Sequence, residues 1–164
     1  MEDIRKTYVR VLETVLGLHR DLLAVLEREA DAMVGHDIPA IEKAAREEGA
    51  LAESIRAAEQ KRQKTLLRMS QEMRKDLRRA TLAEIAEVAG GELREPLLRL
   101  RAEMRSVAEE MTRKNRLKML LCEQSLSRVK GMLRFLAGGG ETGLYTSGGV
   151  IEERAQQVIV DQQA

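Results

Sequence analysis

A chain of 164 residues with 34% charged and only 2% aromatic residues predicts one domain, and it excludes a compact core built on large rings. The aromatic set is Tyr8, Phe135 and Tyr145, so Leu, Ile, Val, Ala and Met must be buried along helix seams instead. A net charge of +1 excludes a strong overall field for nucleic acid or acidic membrane, and the single cysteine, Cys122, excludes an internal disulfide.

In chain order, the first helix is predicted from about Asp3 to Val34. Ile4, Tyr8, Val11, Val15, Leu18, Leu22 and Val25 step by three and four, the spacing of a packed seam. Leu12, Leu16, Leu23 and Leu26 widen that stripe toward more than one neighbour. Asp3 is the predicted N-cap, and Gly35 is predicted to end the helix as a C′ glycine. The short link 35–39 forces an antiparallel second helix with Pro39 in its first turn. That helix is predicted to run to Met69 or Leu77 on the seam Ile41, Ala44, Leu51, Ile55, Ala58, Thr65 and Met69. Glu48 and Arg62 interrupt this seam.

Ser70 is a candidate cap. Thr81 with Glu84 is predicted to box the start of a short helix over 82–89, ended by Gly90-Gly91. A last helix of roughly 40 residues, about 60 Å long, begins near Glu92 or Glu95. Leu97, Leu100, Met104, Val107, Met111, Asn115, Cys122, Val129, Leu133 and Leu136 are its predicted inner face. It either projects beyond a compact bundle or packs along its full length. Gly138-Gly139-Gly140 then predicts a hinge, so residues 1–137 read as a helical body and 138–164 as a flexible tail. The fold class is all-α: an elongated antiparallel bundle or coiled coil of three long helices and one short one.

No catalytic or metal motif is present: His19 and His36 lie 17 residues apart, and the tail glycines follow a helix with no Gly-Lys-Ser/Thr. The reading is therefore not an enzyme and without a cofactor. The charged start Met-Glu-Asp-Ile-Arg-Lys and the lack of any long apolar run predict a cytoplasmic chain with no signal peptide and no stable membrane insertion. Charge is uneven, with nine acids against four bases over 27–59 and eight bases against two acids over 61–79. This fits either a solvated helix surface or a docking face for an acidic protein.

Met104, Met111, Met119 and Met132 share the last helix. They fit either aromatic-poor core packing or an adaptable surface for partner helices. Asn115 fits either a register-setting seam residue or a partner contact. Tyr145, on a glycine-flanked segment, folds back on the body or anchors a partner.

Three pieces together resemble the FlgN family of flagellar type III export chaperones. One is the leucine-rich first helix, followed by a second carrying Lys43 and Arg62. The next is Asn115-Arg116-Leu117-Lys118-Met119-Leu120-Leu121, similar to an Asn-x-x-Leu-Leu pattern. The third is Leu144-Tyr145-Thr146-Ser147-Gly148-Gly149, similar to a Tyr-x-x-x-Gly segment. Thr112 stands where members often carry a second Asn, and acids are few after Tyr145.

The resemblance implies a cytoplasmic chaperone, monomer or homodimer, that holds the C-terminal helical segments of the hook-associated proteins FlgK and FlgL. It would deliver them to the export gate protein FlhA. It implies substrate contacts at Met104, Met111, Asn115, Met119, Leu126 and Met132, and gate docking at Leu144 and Tyr145. It implies no catalysis, no cofactor and no nucleic acid. A coiled-coil adaptor unrelated to secretion is the competing reading. A nucleic-acid-binding helical protein resting on the 61–79 bases is a third.

Overall fold

The computed structural model describes residues 3–136, and every regular element among them is helical. Helix α1 is Ile4–Val34, α2 is Ile38–Glu72, α3 is Leu82–Ala89, and α4 is Arg94–Leu136, entered through one 3-10 turn at Gly91–Leu93. The expected three long helices and one short one are all present. The chain groups into two units, Met1–Gln124 and Ser125–Ala164, with the boundary inside α4.

The ends form for local reasons. The Asp3 carboxylate accepts from the Arg5 N–H at 3.0 Å and starts α1. At the other end, Gly35 and Asp37 donate to Asp31 and Ala32 carbonyls, both at 2.9 Å. The left-handed residue of this link is His36 (φ 56°), while Gly35 keeps a right-handed φ of −77°. The expected glycine cap is therefore displaced by one residue. Asp37 then caps α2 by accepting from the Ala40 N–H, with Pro39 in the first turn as expected.

Ser70 does not cap a helix. It lies buried inside α2, donates to the Lys75 carbonyl and accepts the Leu77 N–H at 2.9 Å, which ties down the turn after α2. Thr81 and Glu84 form the predicted capping box. Bonds from the Thr81 backbone and hydroxyl hold the Glu84 carboxyl below its ordinary range. Gly90 and Gly91, at φ 59° and 52°, turn the chain into α4 where a side chain would be strained.

Within Met1–Gln124, α1 and α2 form an antiparallel hairpin. The ion pairs Arg20–Glu103, Glu27–Lys114 and Glu29–Lys118 climb α1 and α4 together, so α4 runs parallel to α1. The densest core lies where α1 begins: Tyr8, Leu12 and Leu16 meet Met69 of α2, Ile85 of α3 and Leu97 of α4. Further along, the α1–α2 seam is lined by small residues such as Ala30, Ala44 and Ala58, all buried.

Gly49 lies in mid-α2 with open space where a Cβ would project. Gly49→Ala is expected to stabilise the fold by about 1 kcal/mol, read as a rise in urea midpoint at unchanged slope. A lowered midpoint would show that this helix is held by something other than its backbone.

Candidate partner-binding face of helix α4

The rotation of α4 about its axis decides which residues it offers. Its covered side is a heptad stripe: Leu97 and Leu100 are buried, Met104 and Val107 pack on the core, and Met111, Lys114, Lys118 and Leu121 are half-buried. After Met111 this stripe steps three to Lys114, not four to Asn115. The expected inner positions Asn115, Cys122, Val129, Leu133 and Leu136 are accordingly all exposed. Lysine is disfavoured in an apolar seam, so hydrophobic spacing alone does not select it. Here it is admitted because carboxylates wait opposite.

Those carboxylates form a compact site. The Lys118 ammonium lies 2.7 Å from Glu48 Oε2, to which it donates, and 2.7 Å from Glu29 Oε2. Glu29 is only 2% exposed, and its Oε2 takes the ammonium as an ion pair outside directed hydrogen-bond geometry. Lys114 pairs with Glu27 at 3.0 Å one turn earlier. Burial opposes the charge on Lys118, but close contact with the carboxylates of Glu29 and Glu48 and their negative charge outweigh it and hold the pKa above the ordinary lysine value.

The second interruption of the α2 seam has a parallel explanation. Arg62 donates to Glu59 at 2.7 Å, and its positive charge lies near the hydroxyl of the buried Tyr8. Burial raises the Tyr8 pKa, and the nearby Arg62 guanidinium partly opposes the rise. In the sequence, Glu48 and Arg62 read only as breaks in a seam. The usable signal was a lysine of opposite sign at the matching heptad position of α4.

With Lys118 turned inward, Asn115, Met119 and Cys122 face solvent. Of the six candidate substrate residues, Met104 and Met111 fall on the covered side, whereas Asn115, Met119, Leu126 and Met132 are exposed. Within Ser125–Leu136 six large apolar side chains are 51 to 78% exposed: Leu126, Val129, Met132, Leu133, Phe135 and Leu136. Leu126, Val129, Leu133 and Leu136 step by three and four along one side of the helix, and Arg128, Lys130 and Arg134 flank them with no acid in the segment. A helix side of this composition gains by covering itself with another apolar helix face. Leu144 and Tyr145 lie outside the described residues.

Among the described residues no group of three His, Cys, Asp or Glu side chains is placed to hold a metal ion, and no helix is long and apolar enough to cross a membrane. What the geometry offers is apolar helix surface. The family model for the FlgN protein matches residues 1–153, nearly the whole chain. The chain belongs to the FlgN family. FlgN proteins are flagellar export chaperones that bind hook-associated proteins. No curated protein and no solved structure matches the chain significantly.

Proposed function

We propose that this chain is a cytoplasmic chaperone for hook-associated proteins of the FlgK and FlgL type. It holds a C-terminal amphipathic segment of the substrate against the exposed apolar side of α4 and hands the complex to the export gate protein FlhA. The observation that carries the reading is the uncovered Leu126, Val129, Leu133 and Leu136 at helical spacing. Covering one such side chain contributes about 1.5–3 kcal/mol, so three or four are enough to hold a substrate helix firmly. Met119 and Met132 add side chains that adapt to more than one sequence. Asn115 is a candidate polar contact on α4. Calorimetric titration with the C-terminal helical segment of a hook-associated protein tests the reading. Absence of binding by that segment, with α4 folded, removes it.

Gate docking is assigned to Leu144 and Tyr145. Tyr145 is the only large ring after Phe135, so it should dominate any contact made by residues 143–149. Tyr145→Ala is expected to leave helicity and substrate binding unchanged while weakening binding to the purified gate domain about thirtyfold. Equal gate affinities, or joint loss of fold and substrate binding, would make Tyr145 a structural residue.

The competing reading is a coiled-coil adaptor that pairs through the same heptad-spaced residues. It predicts a stable dimer by sedimentation that substrate segments do not compete for.

A further inference from the structure

A second surface, on different residues, carries its own inference. Residues 61–79 hold eight bases against two acids. Two of the bases are engaged: Arg62 with Glu59 at 2.7 Å, and Arg78 with Asp76 at 2.8 Å. Lys61, Lys64, Arg68, Arg74, Lys75 and Arg79 are exposed and have no carboxylate within ion-pair distance among the described residues.

The part of α2 before residue 60 behaves differently. Glu42, Glu47, Glu48, Glu53 and Glu59 each have a basic partner. Past residue 60 this compensation is incomplete, and among the described residues it reaches two of the eight bases, Arg62 and Arg78. There, like charges at 61, 64 and 68 sit at helical spacings where they repel one another.

Two apolar features lie within this basic region. Leu67 is 46% exposed on the outward side of α2, one turn from Lys64. The turn after α2 adjoins an open groove of about 490 Å3, with Lys75, Leu77, Arg79, Ala80 and Val88 among its lining. The acids that also line it, Asp76 and Glu84, are taken by Arg78 and by the Thr81 cap. A phosphate backbone has no use for an exposed leucine or for apolar side chains in the groove. The surface also lacks the aromatic rings on which single-stranded bases stack, since Tyr8 is 1% exposed.

We propose that the 61–79 surface with its adjoining groove docks an acidic amphipathic segment of a partner protein. Carboxylates of that segment meet Lys64, Arg68, Lys75 and Arg79, and an apolar side chain covers Leu67. Charge complementarity of this kind sets encounter rate and orientation, and the apolar contact adds residence.

The test is two-dimensional NMR of the full chain labelled with 15N, titrated with a synthetic amphipathic peptide of Glu and Leu. Amide shifts are expected at Lys64, Leu67, Arg68, Lys75 and Val88. Lys64→Glu/Arg68→Glu/Lys75→Glu is expected to weaken this site about tenfold, since three exposed ion pairs are lost together. Leu67→Ser is expected to weaken it severalfold without changing charge. Circular dichroism must show unchanged helicity in both variants, as their exposure leads us to expect. Shifts confined to α4, or an affinity indifferent to the triple reversal, overturn the proposal. So does an oligothymidine that shifts the same amides regardless of Leu67→Ser, which would make the surface a nucleic-acid face. Shifts that grow with protein concentration alone, without peptide, overturn it in favour of contact between copies.

Discussion

Lys118→Ala is expected to lower the stability of the protein by about 3 kcal/mol, because it strands a buried carboxylate. Lys118 is the cation at 2.7 Å from both Glu29 and Glu48, and Glu29 has almost no exposure through which water could replace it. Removing the ammonium leaves two carboxylates near each other in a half-dry seam. The loss should be read from urea unfolding as a fall in midpoint. Replacing the Glu29–Lys118 pair by apolar residues of similar size, Glu29→Leu with Lys118→Met, is expected to return part of it, since the fully buried carboxylate is gone while Glu48, with its side chain 29% exposed, keeps access to water.

The linkage sign gives an independent arm. The Lys118 pKa is raised from its ordinary 10.5, so its contribution is fully present below that pH and is lost as pH rises through the raised value. Wild type should therefore lose stability on the alkaline side in a way the double variant does not. A Lys118→Ala variant within about 0.5 kcal/mol of wild type, the range of ordinary surface changes, would show that the pair contributes nothing net.

The second large effect is on substrate. Leu126→Glu and Leu133→Glu are each expected to weaken binding of a hook-associated helical segment about a hundredfold, by losing one apolar contact and placing a charge against an apolar partner. Both leucines are more than half exposed, so the free protein should keep its stability to within about 0.5 kcal/mol. That separation of effects is the point of the choice. Met111→Glu is a poorer probe, because Met111 is half-buried on the covered stripe and the change would disturb the fold first. Two stable variants that bind substrate like wild type would remove this side of α4 from the site.

Several boundaries were readable because they depend on neighbours in sequence. Thr81 with Glu84, Asp37 with Pro39, and Gly90-Gly91 act within a few residues of themselves, and each ends or begins a helix where expected. The link after α1 shows the limit of such reading. Glycine at position 35 was the natural left-handed residue, yet the backbone places His36 there, because the bonds from Gly35 and Asp37 back to α1 set the turn one residue later. Ser70 was similarly ambiguous: its hydroxyl serves a turn five to seven residues away, which no cap pattern encodes.

The candidate site was legible as a helix but not as a face. Heptad steps lead from Leu97 to Met111 without difficulty, and there two continuations compete. One passes through Asn115 and Cys122, the other through Lys114 and Lys118. Hydrophobicity favours the first. The second is chosen because burying a lysine between two carboxylates costs little once its charge is met, while leaving Glu29 unmatched in the α1–α2 seam costs a great deal.

By itself, then, the sequence determined what short-range physics controls: helix content, the order and approximate ends of the elements, an aromatic-poor apolar interior, and membership of the FlgN family. The tertiary structure alone decided which side of α4 is covered. That choice depends on charges 70 and 89 positions apart, Glu48 with Lys118 and Glu29 with Lys118, meeting among three helices. The energy of that meeting resides in three-dimensional proximity, and no periodicity along the chain expresses it.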